Sequence, residues 1–139
     1  MKLKKKIIIL GSTGSIGRST LNVVKHNKSK VDILCLSANR NYKKLYKQSK
    51  LFKIKNLIIH DFNFFLKARK FFKYKKNINI YPDISSYLKR YKKKIDIVIV
   101  GISGLDGLEP TLKIIPFTKI LASANKESII CGWKLIQDN

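Results

Sequence analysis

Acidic residues, cysteines and long apolar runs are all scarce in this chain of 139 residues. The two cysteines, Cys35 and Cys131, are far apart in sequence and lack metal-ligand spacing, which favours free buried thiols over a disulfide. Apolar runs such as Ile97–Val100 are far shorter than the roughly 20 residues that a membrane helix needs. We therefore expect a cytoplasmic protein with no membrane partner.

Eight Asp and Glu residues oppose thirty Lys and Arg residues, and the net charge is +22. Such a balance suits a nucleic-acid partner. However, only four of the basic residues are Arg, which supplies most bidentate and stacking contacts to nucleic acids. The chain is also rich in Lys, Ile and Asn, as expected from an AT-rich genome. We favour compositional drift, and a basic nucleic-acid-binding α/β module stays open as an alternative.

Short β-branched runs alternate with amphipathic stretches along the whole chain. Because the runs are apolar throughout, they indicate a parallel sheet that is covered on both faces. We predict one domain over residues 1–139, an α/β, doubly wound, Rossmann-like parallel sheet with helices on both faces. Helical periodicity places Leu45 and Leu51 inward. The predicted strands are Lys6–Leu10, Asp32–Ser37, Asn56–His60, Ile78–Tyr81, Ile95–Val100 and Lys119–Ala122, and the predicted helices are Ile16–Asn27, Tyr42–Phe52, Asn63–Phe72, Ile84–Tyr91, Leu108–Phe117 and Lys126–Gln137.

Three glycines with the spacing G-x-x-G-x-x-G join the first strand to the first helix. Gly11 permits a tight turn, Gly14 lets a diphosphate approach the backbone, and Gly17 lets the helix pack closely on the sheet. The helix N-terminus adds N–H groups and a partial positive charge. The loop therefore predicts a dinucleotide site, with a ligand-free turn as the alternative. The pattern G-x-x-x-x-G-K-[ST] is missing, which argues against an ATPase.

The end of the second strand carries no carboxylate that could bind a ribose 2′-hydroxyl. Instead Arg40 lies between Asn39 and Asn41, and a guanidinium beside two amides suits a 2′-phosphate. This predicts NADP(H) rather than NAD(H). The alternative is that Arg40 is a solvated charge in a very basic chain.

Two later loops also follow strand ends, which is the edge where doubly wound sheets bind ligands. They are residues 101–112 (GISGLDGLEPTL) and residues 124–128 (ANKES). Together with GSTGSIG at residues 11–17, these motifs resemble the 1-deoxy-D-xylulose 5-phosphate reductoisomerase family. The resemblance runs from about Lys6 to about Gln137.

The resemblance implies a reductase that makes 2-C-methyl-D-erythritol 4-phosphate in non-mevalonate isoprenoid biosynthesis. Its partners would be NADPH, a divalent metal (Mg²⁺, Mn²⁺ or Co²⁺), a phosphorylated sugar substrate and a second copy in a homodimer. Another NADP-dependent Rossmann reductase is the alternative. The resemblance assigns cofactor contacts to Thr13, Gly14, Ser15, Ile16, Asn39, Arg40, Asn41, Asn125 and Glu127, and a substrate contact to Lys126.

The family's metal-binding Asp-Ser-Glu motif does not occur in this chain. The resemblance therefore implies that the chain holds no catalytic residue and no metal ligand. We expect a fragment that lacks the metal- and substrate-binding domain and the C-terminal helical domain. Such a fragment would bind NADPH and be inactive alone.

Overall fold

The computed structural model describes residues 3–139, which form one parallel sheet and its surrounding helices. Two 3₁₀ turns, Gly104–Gly107 and Ile115–Phe117, flank the fifth helix. Within residues 3–139, no helix combines the length and the apolar character needed to cross a bilayer. The elements are β1 Lys5–Leu10, α1 Ser15–Lys25, β2 Val31–Ala38, α2 Tyr42–Phe52, β3 Asn56–Ile59, α3 Phe62–Phe72, β4 Asn79–Tyr81, α4 Ile84–Arg90, β5 Ile95–Val100, α5 Leu108–Ile114, β6 Thr118–Ser123 and α6 Lys126–Gln137.

The strands lie in the order β4-β3-β2-β1-β5-β6, and every neighbouring pair is parallel. Strands β2, β3 and β4 follow one another on one side of β1, after which the chain returns and places β5 on the other side. In register, Leu10 at the end of β1 lies opposite Val100 at the end of β5. The predicted doubly wound fold is confirmed. The strand order reverses between β1 and β5, where such sheets leave a crevice for a ligand.

Each face of the sheet has its own apolar core, because successive side chains of a strand point to opposite faces. Ile7 and Ile9 face the core that α1, α2 and α3 cover. Ile8 and Leu10 face the core that α4 and α5 cover. All four side chains are at most 2% exposed. Burial on both faces explains why this strand is apolar throughout instead of alternating.

The prediction for α2 was right for Leu45 and wrong for Leu51. Leu45 is fully buried, whereas Leu51 is 57% exposed. Six residues advance a helix by about 600°, which leaves Leu51 about 120° away from the buried stripe. Ser49, four residues after Leu45, takes the buried position, and its Oγ donates to the Tyr46 carbonyl at 2.8 Å. The helix therefore buries a satisfied hydroxyl where an apolar residue was expected.

The closest backbone approach at the site is between α1 and the loop that precedes it. A Cβ atom on Gly17 would lie 2.4 Å from the Gly11 carbonyl oxygen and 2.4 Å from Ser12 Cα. These are backbone atoms, so neither can move aside without displacing β1 or α1. Gly11 itself has φ +77°, a left-handed conformation that favours glycine. Both residues fit only as glycine, which fixes where α1 begins.

We expect Gly17→Ala to lower the free energy of unfolding, since overpacking typically costs about 1–3 kcal/mol and the clash here is with backbone atoms. This loss should exceed the gain of about 1 kcal/mol from the higher helix propensity of Ala. Urea unfolding followed by circular dichroism measures the change. Gly14→Ala is the matched control, because a Cβ at Gly14 would make only ordinary contacts of 3.6 Å or more. Equal midpoints for the two variants would contradict the packing argument.

Candidate nucleotide-binding site

A cavity of about 710 Å³ opens at the carboxyl ends of the strands. One part of its wall is the glycine loop with Asn39, and the opposite part is the loop after β5 with α5. It therefore lies at the crevice where the strand order reverses. Its lining is Gly11, Thr13, Gly14, Asn39, His60, Pro82, Asp83, Ile84, Gly101, Ile102, Ser103, Leu105, Asp106, Glu109, Pro110 and Lys113.

Helix α1 starts at this cavity without a side-chain cap. Gly14 is its N-cap residue, and in the described chain no side chain accepts a hydrogen bond from the first turn. Helix α5, which follows a 3₁₀ turn, also lacks a side-chain cap, whereas α2, α3, α4 and α6 are capped by the side chains of Asn41, Asp61, Asp83 and Asn125. The first N–H groups of α1 thus stay open for an anion, and the helix dipole favours negative charge there.

The fold itself does not require a glycine at position 14. Its φ of −78° is open to any residue, and an added Cβ would lie 3.6 Å from the Gly11 carbonyl oxygen and 3.8 Å from that of Gly101. Neither backbone strain nor packing therefore requires glycine here. Gly14 is exposed and lines the cavity, so a side chain would occupy space in front of α1. The missing side chain leaves room for a ligand close to the backbone.

The other glycine-loop residues that were predicted to contact the cofactor also lie at the N-terminal end of α1. Thr13 lines the cavity, and Ser15 is exposed at the first position of the helix. Ile16 is 41% exposed and lies against Gly101, where an added Cβ would be 3.2 Å from the Ile16 Cβ atom. Gly101 thus lets the loop after β5 approach α1 closely.

The loop after β2 holds Arg40 in a defined place, which sequence reasoning did not foresee. Arg40 Nε donates to Asp61 Oδ2 at 2.9 Å, and the guanidinium lies 5.6 Å from the centre of the Phe64 ring. The amide hydrogen bond from Phe64, together with Arg40, holds the pKa of the Asp61 carboxyl below its usual range. Of its neighbours, Asn39 lines the cavity and Asn41 caps α2.

Two side chains of α2, Gln48 and Lys44, form hydrogen bonds with the glycine loop, and the sequence analysis predicted neither contact. Ser12 Oγ donates to Gln48 Oε1 at 2.7 Å, and Gln48 Nε2 donates to the Ser12 carbonyl at 2.9 Å. Lys44 Nζ donates to the Thr13 carbonyl at 3.2 Å. These partners are 31 or 36 residues apart, and no local spacing signals them.

A second pair couples the glycine loop to the end of β3. Ser37 Oγ accepts a hydrogen bond from the Gly11 N–H at 2.9 Å and lies 3.0 Å from His60 Nε2. Burial lowers the pKa of His60, against the opposing effect of the Asp83 and Glu109 charges. A neutral imidazole therefore lines the cavity beneath the glycine loop. The sequence analysis assigned His60 no role at this site.

Asn125 binds its own chain rather than facing open solvent. It is 4% exposed, its Oδ1 accepts from the Ser128 N–H at 3.1 Å, and its Nδ2 donates to the Ile102 carbonyl at 2.7 Å. Nδ2 also donates to the Gly104 carbonyl. Its amide thus fastens the loop after β5 to the start of α6, and its predicted cofactor contact stays a prediction. The neighbouring Lys126 and Glu127 are exposed.

We expect Asn125→Ala to lower the free energy of unfolding by about 2–4 kcal/mol, because it removes a helix cap and leaves the buried side of the Ile102 carbonyl without its side-chain donor, whereas Gly104 keeps Ser128 Oγ. Urea unfolding measures the loss. Lys126→Ala, on the exposed neighbouring residue, should change stability by less than about 0.5 kcal/mol. An Asn125→Ala variant as stable as Lys126→Ala would show that the amide does not fasten the loop.

The stability of the fold should also depend on pH through His60. Its pKa is lower in the folded chain than the ordinary value of 6.5, so the unfolded chain takes up the proton first. Stability is therefore full above pH 6.5 and declines as pH falls toward the lowered value, by at most about 1.4 kcal/mol per pH unit. Folding also lowers the pKa of three carboxyls below the ordinary value of 3.8. These groups, Asp61, Asp83 and Asp96, therefore change the stability only below about pH 3.8.

Urea unfolding at pH values from 7.5 to about 5 measures this slope. His60→Gln keeps a hydrogen-bonding side chain but cannot titrate, so its slope over this range should be smaller than that of the unsubstituted chain. The same slope in both proteins would assign the pH dependence to other groups.

A family model described as 1-deoxy-D-xylulose 5-phosphate reductoisomerase matches residues 7–132. A protein of that name from Pelagibacter ubique is 51% identical over 135 residues, which cover 96% of this chain and 34% of the relative. Among solved structures, the Zymomonas mobilis enzyme in complex with NADPH has a TM-score of 0.84 at 29% identity, covering 98% of this chain and 36% of that one.

A further solved reductoisomerase, in complex with NADPH, fosmidomycin and magnesium, has a TM-score of 0.79 at 25% identity and covers 96% of this chain and 34% of that one. The chain thus spans about a third of the length of the relatives that it matches. Because the family model covers most of the sequence, the chain belongs to the 1-deoxy-D-xylulose 5-phosphate reductoisomerase family.

Proposed function

We propose that this chain is the NADPH-binding part of a 1-deoxy-D-xylulose 5-phosphate reductoisomerase, which makes 2-C-methyl-D-erythritol 4-phosphate. The observation that carries the proposal is the uncapped start of α1 behind Gly14, whose missing side chain the protein's own packing does not require. A diphosphate needs this combination of open N–H groups and close backbone approach. The structural relative from Zymomonas mobilis binds NADPH.

NADPH supplies the hydride for the reduction step when it is bound, and the residues of this chain hold and orient it. Thr13, Gly14, Ser15 and Ile16 would surround the diphosphate at the start of α1. The ion pair between Arg40 and Asp61 fixes the direction of the guanidinium. The free N–H groups of Arg40 would then bind the 2′-phosphate, with Asn39 and Asn41 on either side in sequence.

The loop that starts α6 would complete the site on the other side of the crevice. Glu127 is exposed there and would accept from the cofactor, while the exposed Lys126 would meet a phosphorylated substrate. Asn125 holds this loop against the loop after β5. Its second role, as a cofactor contact, would use the remaining lone pair of Oδ1.

We further propose that residues 1–139 form a single NADPH-binding domain that is inactive alone. Within residues 3–139, no three His, Cys, Asp or Glu side chains come close enough together to hold a metal ion. The divalent metal (Mg²⁺, Mn²⁺ or Co²⁺) and the catalytic groups would belong to other parts of a full-length reductoisomerase. A cytoplasmic location agrees with two free cysteines; Cys35 is buried as expected, whereas Cys131 is exposed, contrary to the expectation. Homodimer formation follows from the family resemblance.

No observation favours the alternatives that the sequence left open. The family model names a reductoisomerase over residues 7–132, rather than another NADP-dependent reductase. A nucleic-acid-binding module would rest on the +22 charge alone. Its binding should weaken steeply with salt and be indifferent to substitutions in the glycine loop.

We expect Gly14→Val to weaken NADPH binding more than about 100-fold, or about 3 kcal/mol, because a branched side chain would fill the space of the diphosphate. Titration followed by NADPH fluorescence measures the dissociation constant. Gly14→Ala, with a smaller side chain, should give an intermediate loss, and circular dichroism checks that both variants fold. Unchanged NADPH binding by Gly14→Val would refute the glycine-loop site, and equal affinity for NADPH and NADH would remove the argument from Arg40.

A further inference from the structure

Arg40 is only part of the positive charge available to a 2′-phosphate. Its Nε already donates to Asp61 Oδ2 at 2.9 Å, so a carboxylate offsets part of its charge. The Arg40 side chain is also 64% exposed, so water and salt screen its charge. A second cation nearby would therefore add to the binding of a dianionic phosphate.

Lys44 is a cation in the right place. It lies in the first turn of α2, and Asn41 Oδ1 accepts from its backbone N–H at 3.1 Å. Its side chain reaches from α2 across to the glycine loop, where Nζ donates to the Thr13 carbonyl at 3.2 Å. The Lys44 side chain therefore bridges the gap between the loop after β1 and the start of α2, which follows the loop after β2. In dinucleotide sites the adenosine ribose occupies this gap.

The ammonium group of Lys44 has unused binding capacity. It carries three N–H donors, and within residues 3–139 only the Thr13 carbonyl accepts from it. The three ion pairs of the described chain do not include Lys44. The side chain is partly buried, so its position is already restricted and binding would immobilise it at little further entropic cost.

We propose that Lys44 binds the 2′-phosphate of NADPH and is a specificity-determining residue of this site. The inference rests on the proposed function, since it names the group that separates NADPH from NADH within that function. A charge-assisted hydrogen bond forms between Nζ and a phosphate oxygen while the ammonium still holds Thr13. NADH has a hydroxyl in place of the phosphate and gains little from Lys44.

Arg18 is another cation beside the glycine loop, but we do not expect it to distinguish NADPH from NADH. Its Nε donates to the Gly14 carbonyl at 3.4 Å, and it lies on α1 beside the expected diphosphate. A diphosphate is common to NADPH and NADH, so a cation there raises the affinity for both cofactors and does not discriminate between them. Of these two cations, only Lys44 reaches the gap where the ribose is expected, and only a cation there can produce a preference.

The test compares Lys44→Met with Lys47→Met in the 139-residue chain, using NADPH and NADH as probes. Lys47 is exposed one turn later on the same helix, so both variants change the net charge equally. Methionine keeps most of the apolar stem of lysine. We expect Lys44→Met to weaken NADPH binding roughly 10- to 100-fold and NADH binding less than about threefold. Lys47→Met should leave both affinities within about twofold, and Lys44→Arg should retain part of the preference.

The outcomes separate the inference from the proposed function. Equal weakening of NADPH and NADH by Lys44→Met would show that Lys44 only holds the glycine loop, and would overturn the inference. The same loss in Lys47→Met would assign the effect to the overall positive charge and overturn it too. If the unsubstituted chain folds but binds neither cofactor, the proposed function fails and the inference fails with it.

Discussion

The packing of α1 onto its own preceding loop is the constraint on which the site depends. A Cβ on Gly17 would lie 2.4 Å from the Gly11 carbonyl oxygen, so the helix can start here only with glycine. The neighbouring strands then hold the loop: the Gly11 N–H donates to Ser37 Oγ, and the Gly101 N–H donates to the Leu10 carbonyl at 2.8 Å. The first amides of α1 are therefore aimed at the crevice before any ligand arrives, so little reorganisation opposes anion binding.

The excess of lysine has a plain structural explanation over part of the surface. On the face formed by α2 and α3, ammonium groups lie over aromatic rings: Lys75 is 4.4 Å from the Phe71 centroid and 5.0 Å from that of Tyr46, and Lys67 is 4.6 Å from that of Phe64. Contacts of this kind contribute about 0.5–1 kcal/mol at exposed sites. They also spread the cations over a helical surface. This arrangement agrees with solvated charge better than with one concentrated nucleic-acid-binding groove.

The sequence was sufficient for the fold because each strand and each helix carries its own local signal. Apolar strands predicted the sheet, and most helix starts lie within one or two residues of the predicted ones; α3, for example, begins at Phe62 instead of Asn63. Local periodicity failed at Leu51, where the apolar side chain lies off the buried stripe. The polar contacts of the site could not be predicted from the sequence. The partners of Ser12, Thr13 and Arg40 are 21 to 36 residues away, and only the folded sheet brings them together.

The co-occurrence of GISGLDGLEPTL and ANKES, which carried the family resemblance, has a physical cause in the packing of two loops. Asn125 from the second motif donates to the Ile102 and Gly104 carbonyls of the first. Gly107 makes room for it, since a Cβ there would lie 2.7 Å from Asn125 Nδ2. Much of the motif pair is therefore explained by the fold. Lys126 and Glu127 are different: within the described residues neither side chain has a hydrogen bond or an ion pair. Glu127 lies in the first turn of α6, where the helix dipole favours a carboxylate, and the fold gives Lys126 no such role. Lys126 is therefore the residue of ANKES whose presence the fold explains least.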